Sequence, residues 1–314
     1  MISELQQQSL VDFDRSATLS GFQQALEAMI RRGGPMPQEY GELNRAIRRL
    51  ADEVRVGNVA AQEVKSLVRS ATENHFRGTM QAESVMKKHG YSGDFEIIDD
   101  IYRMRISPEP HLRRWDLFFH AQPAPCAVRN RKAYFHQLLR DLTARQPGKP
   151  LRVLNIASGP ARDLREWFDA NPESEIRFDC IELDPTAIAH ATAVCAAYGN
   201  RITFHHQNAL KFVPVEKYDL IWSAGLFDYL TDRLFTRLVR SLMPFVNVGG
   251  EVVVGNFSEF NASRDYMELM GDWYLEHRSE GRLRELAMKA GAAAEKVEVK
   301  WEPEGVNLFV HVAV

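Results

Sequence analysis

The segment Leu151-Arg-Val-Leu-Asn-Ile-Ala-Ser-Gly-Pro-Ala-Arg162, followed by Phe178-Asp-Cys-Ile-Glu-Leu-Asp-Pro185, decides the fold of this chain. It predicts an apolar strand, a tight turn with glycine, a helix and a second strand that ends in an acid. Together these form the first half of a nucleotide-binding α/β unit. The turn Ser158-Gly159-Pro160 lacks the three glycines that a dinucleotide pyrophosphate needs for close backbone approach. The pattern therefore favours a ligand with an adenosine ribose and disfavours a pyrophosphate.

Strands and helices alternate regularly after this segment. The pattern predicts strands at 151–157, 177–183, 201–206, 218–223 and 250–256, with helices at 161–170, 185–198 and 231–246. Parallel strands joined by helices form a doubly wound, Rossmann-like α/β sheet. Apolar and polar residues alternate at 296–301 and at 307–314, and Pro303-Glu-Gly305 separates the two runs. This pattern predicts a terminal hairpin.

The first half of the chain has a different pattern. Apolar residues such as Leu19, Phe22 and Leu26 recur at helical spacing, and similar stripes continue to about residue 144. The segment Gln146-Pro-Gly-Lys-Pro150 predicts a turn or linker. We therefore predict an N-terminal helical domain at 1–145, acting as a lid or in substrate binding, and a nucleotide-binding domain at 146–314.

Three further segments follow the first in order: Phe204-His-His-Gln-Asn-Ala209, Tyr218-Asp-Leu-Ile-Trp-Ser-Ala-Gly-Leu-Phe-Asp-Tyr229 and Val248-Gly-Gly-Glu-Val-Val-Val-Gly-Asn256. The four together, over roughly residues 130 to 314, resemble the motifs of class I S-adenosylmethionine (SAM) dependent methyltransferases. The resemblance implies that fold, SAM as the cofactor and a methyl-transfer activity. Ala157 and Ser158 stand where the family commonly has a glycine, and Asn208 stands where it usually has Asp.

The resemblance and the rule that ligands bind beyond the carboxyl ends of parallel strands predict the cofactor contacts. Expected cofactor-binding residues are Ala157, Ser158, Gly159, Glu182, Asn208, Ala209, Ser223 and Gly225. The first three follow strand one and would face the amino-acid portion of SAM, or else form an ordinary strand–helix turn. Glu182 would accept from the ribose hydroxyls, whereas Asp184 is expected to cap the helix that begins at Pro185. Asn208 would face the adenine.

Candidate acceptor residues lie in three other places. His120, Arg129 and Tyr229 are the predicted catalytic residues, and the predicted substrate-binding residues are Arg131, Asp228, Asn256, Tyr266, Trp273 and Tyr274. An arginine at 129 or 131 would hold a carboxylate bidentately, or else be a solvated helix residue. Asp228 and Tyr229 would lie near the methyl group or cap the next helix. The aromatic and methionine side chains at 266–274 suit an apolar substrate, or else dock on the N-terminal helices.

The reaction is predicted from what the sequence lacks. It shows no metal-ligand pattern and no histidine paired with an aspartate to act as a general base. A carboxylate acceptor needs no base, whereas a hydroxyl or an amine does. The helical first half and the segments Gly255-Asn256-Phe257 and Gly271-Asp-Trp-Tyr-Leu275 resemble bacterial synthases of 3-hydroxy fatty acid methyl esters, the 3-hydroxypalmitic acid type used as quorum signals. That resemblance implies a fatty acid as acceptor. The alternatives are an O- or N-methyltransferase of secondary metabolism and a non-catalytic SAM-binding regulator.

Bulk properties narrow the partners. The net charge of −3 does not favour binding to nucleic acid or to an anionic membrane, so a small-molecule substrate is expected. The sequence leaves the formation of a homodimer undecided. Cys126, Cys180 and Cys195 are widely spaced and predict neither a disulfide framework nor a zinc site. The first residues have no signal-peptide pattern, and no apolar run reaches about 18 residues, so a cytoplasmic protein without a membrane span is expected.

Overall fold

The segment that decides the fold lies at the centre of a seven-stranded sheet in the computed structural model, which describes residues 18–314. The strands are β1 (Arg152–Ile156), β2 (Arg177–Glu182), β3 (Ile202–His206), β4 (Tyr218–Ser223), β5 (Val246–Phe257), β6 (Val297–Trp301) and β7 (Asn307–Ala313). Their order across the sheet is β3-β2-β1-β4-β5-β7-β6. The first five are parallel, whereas β7 is antiparallel to both β5 and β6. The predicted doubly wound α/β sheet and its terminal hairpin are confirmed.

Eleven α-helices lie within the described residues. They are α1 (Leu19–Arg31), α2 (Tyr40–Arg55), α3 (Ala61–Ala71), α4 (Met80–Met86), α5 (Phe95–Arg103), α6 (Pro110–His120), α7 (Pro123–Arg145), α8 (Arg162–Ala170), α9 (Pro185–Val194), α10 (Asp232–Leu242) and α11 (Glu280–Lys289). In residues 18–314, no helix combines the length and apolar character of a membrane span. The features predicted for the first 17 residues, including the missing signal-peptide pattern, lie outside the described range.

Side chains from α7 and the sheet form an aromatic core on one face of the sheet. Phe135 stacks on Trp222 of β4 with ring centroids 4.7 Å apart, and Tyr134 stacks on Phe309 of β7 at 4.0 Å. Cys180 of β2 is buried in the same core, where a thiol acts as a small apolar side chain. Stacked aromatic pairs stabilise this face by more free energy than the burial of their apolar area alone provides. The packing fixes α7 along the sheet.

The described chain divides into two compact units. The helical unit comprises residues 18–93, Met104–Gln122 and Ser263–Tyr274, and the sheet unit comprises Asp94–Arg103, Pro123–Ala262 and Leu275–Val314. These units differ from the predicted division at residue 145, because three segments cross it. The helices α5 and α7 belong to the sheet unit, and the stretch after β5 belongs to the helical unit.

Side-chain contacts explain this difference. Within the sheet unit, Asp99 of α5 forms an ion pair with Arg162 at the start of α8, at 2.7 Å. Within the helical unit, the Tyr266 hydroxyl donates to the Gln81 side chain, and its ring meets Phe118 edge-on at 5.5 Å. The stretch at 266–274, expected to be a substrate insert or a docking segment, therefore packs into the helical unit.

Candidate cofactor and acceptor site

The loop after β1 turns the chain sharply toward α8. Ala157 and Gly159 have φ angles of 54° and 55°, in the left-handed region that favours glycine. The backbone N–H of Ala157 donates to the Ile181 carbonyl of β2 at 2.8 Å. Ser158 is buried, and its hydroxyl lies beside the buried thiol of Cys180. The loop thus offers tightly turned backbone at the carboxyl edge of the sheet.

Glu182, at the end of β2, contacts this loop directly. Its Oε2 accepts from the Gly159 N–H at 2.9 Å, and its Oε1 accepts from the N–H groups of Leu183 and Asp184. A carboxylate offers about four acceptor positions, so one stays available for a hydroxyl. Asp184 caps α9 by accepting from the Thr186 N–H at 2.8 Å, which confirms the predicted helix cap.

Asn208 and Ala209 follow β3. The Oδ1 of Asn208 accepts from the Leu210 N–H at 2.8 Å, which holds the turn and leaves the carboxamide N–H groups as its donors. The carboxamide donors suit a ring nitrogen of an adenine better than its amino group, because the amino group is itself a donor. Ala209 packs against the apolar core on the other face of the sheet.

The end of β4 lies beside a buried arginine. Ser223 donates from its hydroxyl to the Ile156 carbonyl at 3.0 Å, which ties β4 to β1. Two residues later, a Cβ added to Gly225 would lie 3.0 Å from a terminal nitrogen of Arg131. The glycine therefore leaves the room that the Arg131 guanidinium occupies, and any side chain at 225 would displace it.

Arg131 is 6% exposed, and its Nε–H donates to the Tyr102 hydroxyl at 3.2 Å. No carboxylate among the described residues forms an ion pair with it, although the charges of Asp163 and Asp228 act on it. Burying a guanidinium without an anionic partner costs free energy, and a bound anion offsets that cost. Of the two predicted arginines, Arg131 has the environment of an anion-binding residue.

Two buried carboxyl groups interact with this arginine through their charges. Burial raises the pKa of Asp228 to about 6, and the Phe257 N–H and the charges of Arg131 and Arg278 only partly offset that effect. Burial likewise raises the pKa of Asp163 to about 6, with the Leu164 N–H opposing it. Groups with displaced pKa values are frequent in functional sites.

A network around Arg278 positions the turn that holds Asp228. Arg278 is buried and donates to the Phe227 and Leu230 carbonyls and to the side chains of Asn256 and Asp232. The Phe257 N–H donates to Asp228 at 2.5 Å. The carboxamide of Asn256 also donates to backbone carbonyls, so this predicted substrate residue is occupied by internal hydrogen bonds. Sequence analysis missed Arg278, Tyr102 and Asp163, since none of them belongs to a motif.

The three predicted catalytic residues are not brought together in one unit. Tyr229 is 43% exposed in the sheet unit, and Arg129 in the same unit contacts the Cys126 sulfur at 3.1 Å. His120 lies buried in the helical unit, with its Nε2 2.8 Å from the Arg105 carbonyl oxygen. Among the residues of a single unit, the geometry supports Arg131 more directly than Arg129.

The remaining predicted substrate residues lie in the helical unit. Tyr266 is buried, whereas Tyr274 is about half exposed, with the Lys65 ammonium 4.9 Å from its ring centroid. The backbone N–H of Trp273 donates to the Met267 carbonyl at 2.9 Å. The hydroxyl of Tyr266 is committed to the helical unit, so contact with a substrate stays a prediction for these three residues.

Comparisons with known proteins bear on this site. Residues 153–250 match the sequence model of a methyltransferase domain. The chain carries a methyltransferase domain. Its strand order, with an antiparallel β7 between β5 and β6, agrees with the class I methyltransferase fold that the motifs predict. The prediction of a SAM-dependent methyltransferase is confirmed.

Many solved structures resemble the chain, and two of them illustrate the likeness. A possible exported protein from Bordetella parapertussis is 19% identical with a TM-score of 0.61, and the match covers 82% of this chain and 97% of that one. A provisional O-methyltransferase from Nostoc punctiforme is 15% identical with a TM-score of 0.50, over 74% of this chain and 71% of that one. These likenesses show a shared fold. Comparison with curated protein sequences finds no match.

The residues at the carboxyl edge fit SAM. The turned backbone at 157–159 suits the polar amino-acid end, and Glu182 retains an acceptor position for a ribose hydroxyl. Nothing in this loop resembles the glycine-rich cradle that a pyrophosphate requires.

Proposed function

We propose that this methyltransferase methylates the carboxylate of a small apolar acid, with 3-hydroxy fatty acids as the first class to test. The observation that carries the proposal is Arg131, a buried guanidinium beside Gly225 at the end of β4 with no ion pair in the described chain. A planar guanidinium binds a carboxylate bidentately, and burial strengthens that interaction.

The cofactor would be held by the loop at 157–159, by Glu182 and by Asn208. The bound cofactor supplies an electrophilic methyl group on a sulfonium. The chain then has to position the acceptor and exclude water. Tyr102 orients the guanidinium of Arg131 through its hydroxyl, and that guanidinium orients the acceptor.

A carboxylate oxygen held by Arg131 would attack the methyl carbon. The new bond is the O–CH3 bond of the ester, and the C–S bond breaks with its electron pair retained by sulfur. No proton moves in this step, so no base is needed. An arginine that positions the acid without removing a proton is therefore sufficient for this chemistry.

The resemblance to 3-hydroxy fatty acid methyl ester synthases supports the choice of acid. It rests on the helical first half of the chain and on the segments Gly255-Asn256-Phe257 and Gly271-Asp-Trp-Tyr-Leu275. Its product class is a diffusible methyl ester used in quorum sensing, so the proposal includes that role.

A second candidate function rests on Asp228. A buried carboxyl group whose pKa is raised to about 6 can accept a proton near neutral pH. A hydroxyl or amine acceptor needs such a base. The runner-up is accordingly an O- or N-methyltransferase of secondary metabolism in which Asp228 is the base.

The test is methyl transfer from labelled SAM to 3-hydroxy fatty acids of varied chain length, with ester detected by mass spectrometry. Ester formation with a chain-length optimum supports the proposal. We expect Arg131→Ala to lower kcat/KM for the acid about 100-fold, since truncating one side of a buried charge pair is costly. Arg140→Ala is the matched control, because Arg140 lies on the exposed side of α7 and bonds to Gln137.

Four outcomes would contradict the proposal. If the protein binds SAM but forms no ester from any acid, a fatty acid is excluded as the acceptor. If it methylates phenols or amines and Asp228→Asn abolishes that activity, the second candidate function is established. A rise in KM for SAM alone in Arg131→Ala assigns that guanidinium to the carboxylate of the cofactor. Cofactor retention without turnover of any acceptor class points to a binding protein.

A further inference from the structure

Asn307 is a buried polar residue that the proposed mechanism does not use. Its side chain is fully buried, and neither its carboxamide oxygen nor its carboxamide nitrogen has a hydrogen-bond partner among residues 18–314. In that range it is the one residue with two such atoms. An unpaired buried donor or acceptor is costly, so such a residue in a native fold calls for a partner.

The position of Asn307 points to the acceptor site. It is the first residue of β7 and pairs in register with Phe257, the last residue of β5, so it lies at the carboxyl end of β5. Its carboxamide nitrogen lies 3.1 Å from the place of a Cβ on Gly255, and the Ala224 carbonyl lies 2.7 Å from the same point. Ligands of open α/β sheets bind at this edge.

Glu302 connects Asn307 to the helix that carries Arg131. Glu302 is buried, and its Oε1 accepts from the Asn307 backbone N–H at 2.9 Å. Its Oε2 accepts from the Asn130 side chain at 2.8 Å, one residue before Arg131 in α7. The backbone of Asn307 and the start of α7 are thereby fixed by one carboxylate. Arg131 lies beside Gly225, the residue after Ala224.

The chemistry of the two side chains is complementary. Arg131 has only donors and a charge, which suits an anionic group. A carboxamide offers both a donor and an acceptor, and a hydroxyl is the smallest group that satisfies both. We infer that Asn307 binds a hydroxyl of the acceptor acid and thereby makes the enzyme selective for hydroxy acids over their unsubstituted counterparts. This inference rests on the proposed function.

The experiment compares two acids of equal length, 3-hydroxydecanoate and decanoate. Each is titrated by calorimetry into protein saturated with S-adenosylhomocysteine, and each is assayed with SAM for kcat/KM. We expect the wild type to prefer the hydroxy acid about 10- to 100-fold, since an unmatched buried polar pair is worth that factor in binding. Asn307→Leu has a similar volume without polar atoms and should reduce the preference to about threefold or less.

Controls separate recognition from folding. Asn247→Leu, at the amino end of β5, loses a bond to Asp219 and should keep the wild-type preference. If Asn307→Leu fails to fold by circular dichroism, Asn307→Ser replaces it, because it removes the carboxamide without adding volume. Equal affinity of the wild type for both acids, or an unchanged preference in the variant, overturns the inference alone. Failure of both acids to bind overturns the proposed function and the inference with it.

Discussion

Asp228 is a buried carboxyl group whose ionisation opposes folding. Burial raises its pKa from 3.8 to about 6, although the Phe257 N–H and the charges of Arg131 and Arg278 oppose the shift. Between about pH 4 and pH 6 the folded state therefore binds more protons than the unfolded state. Its contribution to stability is present at low pH and is lost as the pH rises through the folded pKa.

We predict that Asp228→Asn raises the free energy of unfolding, relative to wild type, by more at pH 7 than at pH 4. The asparagine keeps an oxygen to accept from Phe257 and carries no charge, so the penalty for burying a carboxylate disappears. A shift of this size corresponds to about 3 kcal/mol. Urea unfolding at both pH values measures the difference in free energy of unfolding between variant and wild type.

The control for this prediction is Asp169→Asn, because Asp169 is exposed and its pKa is lowered, chiefly by a hydrogen bond from Tyr198. Asp169→Asn should lower the free energy of unfolding, relative to wild type, by more at pH 7 than at pH 4. A difference between Asp228→Asn and wild type that is the same at pH 4 and pH 7 would show that Asp228 is ionised in the folded state without penalty.

Single residues differ in how far their sequence context predicts them. Glu182 was found because an acid at the end of the second strand has a known place in nucleotide folds, and the structure puts it against Gly159. Ala157 takes a left-handed conformation although it is not glycine, which composition alone does not indicate. Arg278 and Asn307 belong to no motif, since their roles come from neighbours that only the folded chain supplies.

Arg278 links three elements of the sheet unit. It joins the turn after β4, the end of β5 and the start of α10 through donors to Phe227, Asn256 and Asp232. Each carbonyl that it contacts is left without that donor when the side chain is removed. The arrangement of the turn that carries Asp228 thus depends on a residue about 50 positions away in sequence.

We predict that Arg278→Ala lowers the free energy of unfolding by about 3 kcal/mol, the scale for removing one partner of a buried charged network. Arg282→Ala is the matched control, because Arg282 also pairs with Asp232 but is 37% exposed. Exposed pairs contribute about 0–1 kcal/mol. Urea unfolding at pH 7 measures both. Equal losses in the two variants would mean that the network around Arg278 adds nothing to the ion pair.

Elements were predicted where a pattern is local. The strands at 177–182 and 218–223 match their predicted bounds within one residue, because each is a short apolar run between turn signals. The helix α11 at Glu280–Lys289 was missed, since its buried residues are few and its polar residues many. The strand β5 starts at Val246 and not at 250, because pairing with β4 at Tyr218 carries it past two glycines.

At the scale of the whole molecule, the units are discontinuous in sequence. The helix α7 was assigned to the helical domain because helices precede strands along the chain, yet its aromatic residues pack on β4 and β7. The stretch at 263–274 follows β5 in sequence but packs with Gln81 and Phe118 in the helical unit. Which core an amphipathic segment joins depends on long-range packing, so a boundary drawn in sequence order misses such exchanges.

Cofactor binding should stabilise the molecule through the sheet unit. A ligand that binds only the folded state at about 100 times its Kd adds about 2.7 kcal/mol of stability. For a unit of this size we predict a rise in Tm of about 5 to 10 °C with S-adenosylhomocysteine. The ribose is expected to bond to Glu182, so Glu182→Gln should need about tenfold more ligand for the same rise.

NAD is the informative control, because it shares the adenosine ribose but adds the pyrophosphate that the Ser158-Gly159-Pro160 turn disfavours. Differential scanning calorimetry should show a rise with S-adenosylhomocysteine and none with NAD at the same concentration. An equal rise with both would mean that the loop accepts a pyrophosphate despite its missing glycines. An unchanged ligand requirement in Glu182→Gln would confine that carboxylate to holding the Gly159 N–H, and the ribose contact would then have to come from another residue.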